Sequence, residues 1–288
     1  MKLALGTVQF GLDYGVANNS GRVSLEEASS ILERARQVGI TTLDTAIAYG
    51  DSESVLGSIG VKPWAVVTKL PAVPKGCNNI NVWVREQVAS SIARLNVERL
   101  YGLLLHRPTE LLENNGFSLF AAMQDLKSEG LVDKIGVSVY GPNELGLLFD
   151  KFNFDLVQAP LNILDRTLVV TGWADRLKQA GVEVHTRSAF LQGLLLIPPH
   201  ERPIKFNGWA EVWDEWDRWL AETGLSPLQA CLKYVTSLDF VDRVLVGVDS
   251  VEQLNQIVDA ATGKLPSLPL FKYLRDERLI NPATWGDL

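Results

Sequence analysis

The chain has 288 residues, 47% of them hydrophobic and 21% charged, and its formal net charge is −7. That length suits one large α/β domain with a sizeable core. The acidic balance argues against nucleic acid or anionic lipid as the main partner, and the apolar runs are strand length, far short of a membrane span.

In chain order, short apolar runs at residues 3–8, 41–45, 65–69, 100–106, 135–139, 156–159, 182–186 and 244–247 predict eight strands. Segments of helical period lie between them, clearest in Leu25–Gln37 and residues 84–95. Ser24 with Glu27, Ser226 with Gln229 behind Pro227, and Ser250 with Gln253 carry capping-box spacing at helix starts. Gly39, Gly130 and Gly181 stand where a helix hands over to the next strand.

Continuous apolar strands separated by helices predict a parallel sheet buried on both faces. Eight such units close most simply into a (β/α)8 TIM barrel, a single domain over residues 1–288. An open doubly wound sheet is the alternative, but no Gly-x-Gly-x-x-Gly follows the first strand. The N-terminus enters strand one without the pattern of a leader peptide, so a cytoplasmic protein is expected. Cys77 and Cys231 lack metal or redox spacing, and His106, His185 and His200 lack ligand spacing, so neither a disulfide nor a metal site is expected.

Two stretches break the repeat, residues 10–21 and 190–207, and both leave the C-terminal ends of strands, where a barrel keeps its chemistry. Trp209, Trp213, Trp216 and Trp219 recur at helical spacing and predict a helix packed on the barrel. The tail, residues 264–288, is rich in proline and reads as a segment crossing one barrel mouth.

Four ionisable residues fall at or just beyond successive strand ends. Asp44 closes strand two, Tyr49 follows five positions on, Lys69 ends strand three and His106 ends strand four. In a barrel these positions converge on one mouth. A lysine ending an apolar strand needs a partner, because burying an unpaired ammonium is costly, and Asp44 is on the neighbouring strand. A phenol beside that ammonium ionises more readily, which makes Tyr49 a usable general acid near neutral pH. His106 is then placed to hold a carbonyl oxygen. Singly, each residue has a structural explanation; jointly, at successive strand ends, they point to a site.

The run Asp44-Thr45-Ala46-Ile47-Ala48-Tyr49-Gly50-Asp51-Ser52-Glu53, followed by Leu56-Gly57, resembles the aldo-keto reductase signature. Leu5-Gly6-Thr7 with Gly11, Thr68-Lys69, Leu105-His106 and Gly136-Val137-Ser138 extend the resemblance, which runs from about Leu3 to about Ala260. It implies the tetrad Asp44, Tyr49, Lys69 and His106 as catalytic residues, with Tyr49 as proton donor, and NADP(H) or NAD(H) as cofactor. It also implies that Ser138 and Gln158 hold the nicotinamide carboxamide. Ser188, Phe190, Leu191, Gln192 and Gly193 match the loop lying along the pyrophosphate. Gly247, Asp249, Ser250, Gln253 and Gln256 match the region that receives the adenosine end, at a helix start suited to anions.

Three departures from the family pattern stand out. Val139 replaces an asparagine, and Arg187 replaces an aromatic ring that stacks on the nicotinamide, where a guanidinium plane can stack or bind phosphate. Asp249, Gln253 and Ile257 replace the residues expected around a 2′-phosphate; an acid there suits a free ribose hydroxyl and places the family's usual NADP(H) preference in doubt. The expected partner is a small carbonyl or alcohol substrate, in an oxidoreductase. A nicotinamide-binding sensor and a Schiff-base lyase using Lys69 are the alternatives.

Overall fold

Each strand of the computed structural model is followed by a helical segment, and the last strand returns to pair with the first. The structure describes residues 1–13, 21–268 and 276–287. The order is β1 (Leu3–Gly6), α1 (Leu25–Gln37), β2 (Thr42–Asp44), α2 (Ser52–Ile59), β3 (Ala65–Leu70), α3 (Ile80–Leu95), β4 (Leu100–Leu105) and α4 (Gly116–Ser128). It continues with β5 (Val132–Ser138), α5 (Pro142–Leu148), β6 (Leu156–Pro160), α6 (Thr167–Val170), α7 (Trp173–Gln179) and β7 (Glu183–Arg187). Helices α8 (Ala210–Thr223) and α9 (Pro227–Ser237), β8 (Arg243–Gly247), α10 (Val251–Ala260) and α11 (Glu277–Ile280) complete it. All neighbouring strands are parallel, and β1 meets β8 in the register Leu3↔Val244 to Gly6↔Gly247. The result is a closed (β/α)8 barrel, a single domain.

The main core lies between strands and helices, because each helix buries one apolar stripe against the barrel. In α1 that stripe is Ala28, Ile31, Leu32 and Ala35. Inside the barrel, Val67, Leu104 and Leu156 form a separate cluster closed on one side by Tyr101. Below it the N-terminal floor is polar: Glu183 accepts from Tyr101 at 2.7 Å, pairs with Lys134, and meets His185 Nε2 at 2.6 Å. The C-terminal mouth holds the charged groups described below.

All three capping serines accept a backbone N–H, and Ser226 with Gln229 completes the reciprocal box. Gly39, Gly130 and Gly181 take positive φ. Other boundaries shift for local reasons. Strand one ends at Gly6, since Val8–Phe10 turns into a short 3₁₀ segment. Strand five begins three residues before the expected start, its polar Asp133 and Lys134 having hidden it. Helix α3 starts at Ile80 under an Asn79 cap rather than at Val84. Residues 190–207 contain the 3₁₀ turns Leu194–Leu196, Pro199–Glu201 and Ile204–Trp209. Of the expected loop 10–21, residues 14–20 lie outside the described residues, as do 269–275 and 288 of the tail.

Trp213, Trp216 and Trp219 are buried under α8, as their spacing predicts, and Trp209 packs half-buried at its start. Two of their indole N–H groups also reach the tail. Trp219 donates to the Ser267 carbonyl and Trp209 to Asp276, each at 3.1 Å.

Candidate active site

The loop that carries Tyr49 is held by small polar groups. Ser52 Oγ donates to the Thr7 carbonyl at 2.8 Å and lies 3.1 Å from Thr45 Oγ1, tying the ends of β1 and β2 together. A Cβ on Gly11 would sit 1.8 Å from the Tyr49 carbonyl oxygen, so the chain beyond β1 can lie against this turn only with glycine there. The strand ladder runs on past the last residues. Thr45 N–H donates to the Val67 carbonyl and His106 N–H to that of Leu70, which brings the four expected residues to one mouth.

Asp44 and Lys69 are almost wholly buried, and Lys69 Nζ donates to Asp44 Oδ1 at 2.5 Å and to the Thr45 carbonyl at 2.9 Å. The other carboxylate oxygen accepts from Gln158 Nε2 at 2.7 Å. A carboxylate can only accept, so the Gln158 amide must point its NH₂ there. Its Oε1 accepts from Ser138 Oγ at 3.0 Å. The Lys69 ammonium lies 5.1 Å from the Tyr49 ring centroid. Tyr49 meets His106 edge to face, with centroids 5.8 Å apart.

Burial opposes the charge on Lys69, yet the facing Asp44 carboxylate and Tyr49 phenol outweigh it and hold the pKa above the ordinary lysine value. His106 goes the other way. Burial, then the Lys69 charge, push it down to about 4, with Arg187 adding to the effect and Asp44 opposing it. At neutral pH the imidazole is therefore uncharged, with one N–H to donate.

Among the described residues, two cavities open at this mouth. The smaller, about 290 Å³, is bordered by Tyr49, His106, Tyr140 and Arg187, with Asn281, Pro282 and Ala283 of the tail across it. The expectation that the tail crosses a barrel mouth thus holds for its described part. The larger cleft, about 430 Å³, runs from Asp44, Tyr49 and Gln158 past the β7 loop to Asp249, Gln253 and Gln256.

Of the residues expected to bind cofactor, Gln158, Arg187, Ser188, Phe190, Gln192, Gly193, Gly247, Asp249, Gln253 and Gln256 line this cleft. Ser138 borders the smaller cavity. Leu191 does not line the cleft; its side chain is fully buried in the core. Ser250 does not line the cleft; its hydroxyl accepts from the Gln253 N–H as the cap of α10.

The β7 loop has an unusual backbone. Ser188, Leu191 and Gln192 take φ of 63°, 49° and 51°, three of the four positive-φ non-glycine residues among those described, and Gly193 follows at 91°. Such conformations are costly and persist where the surroundings impose them, often at ligand clamps. Successive N–H groups in turns of this kind form anion-binding concavities. At the outer end, Asp249 Oδ1 is buried without a hydrogen-bond partner. The contorted loop, the amides and this orphan acceptor fit a nicotinamide dinucleotide.

Sequence reading missed Thr7 and Gln9 of the cleft and Tyr140 of the smaller cavity. Gln9 stands just past β1, so the strand-end rule that found Asp44 would also have found it. The tail was expected at a barrel mouth, but no periodic pattern marks which of its residues reach the cavity.

Comparison with known proteins follows the same lines. The model of the Aldo/keto reductase family matches residues 2–268. The chain is 25% identical to the uncharacterized oxidoreductase YqkF of Bacillus subtilis (strain 168), over 91% of this chain and 92% of that protein. It is 28% identical to a D-threo-aldose 1-dehydrogenase of a Pseudomonas species, over 96% of each. Its fold matches the holo form of an aldo-keto reductase from Bacillus halodurans with a TM-score of 0.73, 23% identity and coverage of 92% and 88%. The chain belongs to the aldo/keto reductase family, and is an oxidoreductase that uses NADP(H) or NAD(H).

Proposed function

We propose that the protein reduces a small aldehyde or ketone, or oxidises the corresponding alcohol, with Tyr49 as general acid. The observation that carries this is the buried Lys69–Asp44 pair set against the Tyr49 phenol, with a neutral His106 beside it. The bound nicotinamide supplies or accepts the hydride. Tyr49 gives its proton to the carbonyl oxygen as negative charge develops there. The Lys69 ammonium, anchored by Asp44, supports the phenolate left behind. His106 donates its N–H to the same oxygen, and its neutrality lets it do so without adding a proton to the reaction. A Schiff-base reaction at Lys69 is disfavoured, because a lysine kept protonated by a 2.5 Å ion pair is a poor nucleophile.

Ser138 and Gln158 are the residues that would hold the carboxamide, and the backbone of Ser188–Gly193 the pyrophosphate. At the adenosine ribose the lining favours a free hydroxyl. Asp249 Oδ1 is an unpaired buried acceptor at the outer end of the cleft. The only Lys or Arg among the described lining residues is Arg187, which, like Gln158, also borders the smaller cavity. A phosphate beside Asp249 would meet like charge with no counterion. NAD(H) is therefore expected to be used at least as well as NADP(H).

The test is a screen of aldehydes, ketones and sugars with both reduced cofactors, followed by kcat/KM for each cofactor in wild type and Asp249→Arg. Oxidation of NADH at a rate comparable to NADPH, and a shift toward NADPH in the variant, are expected. A strong wild-type preference for NADPH that Asp249→Arg leaves unmoved would contradict the assignment of Asp249.

A further inference from the structure

We propose that the substrate carries an anionic group, a carboxylate or a phosphate, near its carbonyl, and that Arg187 binds it. This rests on the reductase reading above and goes beyond it by naming a substrate class.

Arg187 ends β7 on the wall shared by the two cavities. Its guanidinium turns to the side of the smaller one. One nitrogen donates to the Val139 carbonyl at 3.0 Å, and the group lies over the Tyr140 ring at 5.1 Å. Tyr140 borders only the smaller cavity. The remaining contact, to Ser188 Oγ at 3.3 Å, is also with a neutral group. Among the described residues no carboxylate forms an ion pair with Arg187. Asp165, the acid that feels its charge, is buried and engaged with the Thr167 N–H and hydroxyl instead.

A half-buried guanidinium with only neutral partners is incompletely compensated, and its planar fork is the best protein match for a carboxylate or phosphate. It is also the only charged side chain among the described residues that border the smaller cavity. Its field reaches the reacting end, since it is one of the charges that depress His106. Tyr49 and His106 border the same 290 Å³ space as Arg187, and so do Ser138 and Gln158, the residues proposed for the carboxamide. A short substrate lying beside the nicotinamide is therefore within the space that Arg187 borders. The tail residues Asn281, Pro282 and Ala283 close the far side without a countercharge of their own.

The experiment compares matched substrates in the purified protein: succinic semialdehyde against butanal, and glyceraldehyde phosphate against glyceraldehyde. Cofactor Kd is measured in parallel by fluorescence quenching, and thermal melting establishes that each variant is folded. Wild type is expected to favour the anionic member of at least one pair, mainly through KM. Which pair shows the preference identifies the anion. Losing a charge-assisted, bidentate contact is worth about 10- to 100-fold, so Arg187→Gln should lose that much more on the anionic member than on its neutral twin. Arg187→Lys should keep part of the preference, as a point charge without the fork.

Turnover with no charge preference in wild type, or a preference that survives Arg187→Gln, overturns the inference and leaves the reductase reading intact. Equal losses on both members together with a weakened cofactor Kd also overturn it, by assigning Arg187 to the cofactor. Absence of turnover with every substrate and both cofactors refutes the reductase reading itself.

Discussion

Lys69 and Asp44 define each other. Neither would be stable at its depth alone, and together they convert two buried charges into a fixed ammonium facing Tyr49. The pair was legible in the sequence because a lysine closing an apolar strand demands an acid on the next one. The Gln158 link to the free oxygen of Asp44 was not legible as such, since it depends on a contact across the barrel mouth between β2 and β6. Lys69→Met leaves Asp44 buried and unpaired. Removing one partner of such a pair costs about 3–5 kcal/mol, so the variant should lose stability on that scale as well as activity. Denaturant unfolding of both proteins checks this; unchanged stability would mean that Asp44 finds another partner.

At the scale of elements, the eight strands and the capped helices were legible because their signals are local: apolar runs, capping serines and terminal glycines. By pattern alone the β7 loop was an irregular stretch, and only the family resemblance singled out Ser188 to Gly193. Its four positive-φ residues serve no pattern in the chain, and three of them are not glycine. The tail was harder still, because tertiary contacts decide where it lies. Trp285 packs on Phe206 with centroids 4.9 Å apart, its carbonyl accepts from Lys205, and Asp276 accepts from Trp209. These contacts carry residues 281–283 to the smaller cavity. Trp285→Ala removes the largest of them, a loss of about 3–5 kcal/mol of packing concentrated in this segment. The expected outcome is a raised substrate KM with cofactor Kd little changed, measured by steady-state kinetics and fluorescence titration. Equal changes in both constants would mean that the tail supports the barrel rather than the cavity.

Over the whole molecule, the barrel separates two polar ends by a thin apolar layer of Val67, Leu104 and Leu156. The floor centres on Glu183. Burial alone would raise its pKa, but His185, Lys134 and Tyr101 bind the carboxylate and bring it down to about 2 from an ordinary 4.5. A depressed carboxylate stabilises the fold above its unfolded pKa, and that contribution is lost as pH falls from 4.5 toward about 2. The shift corresponds to about 2–3 kcal/mol once the partial exposure of Lys134 is allowed for. Glu183→Gln should therefore be less stable than wild type at pH 7 by about that amount, with the two converging near pH 2. A difference that stays constant with pH would contradict it. The mouth, by contrast, is built for chemistry, and the claim on which the account turns is that Tyr49 donates the proton there. The direct measurement is single-turnover reduction by Tyr49→Phe with the reduced cofactor in excess, alongside its cofactor Kd. The account predicts a rate lowered by about 10²–10⁴-fold with the Kd nearly unchanged; reduction at close to the wild-type rate would contradict it.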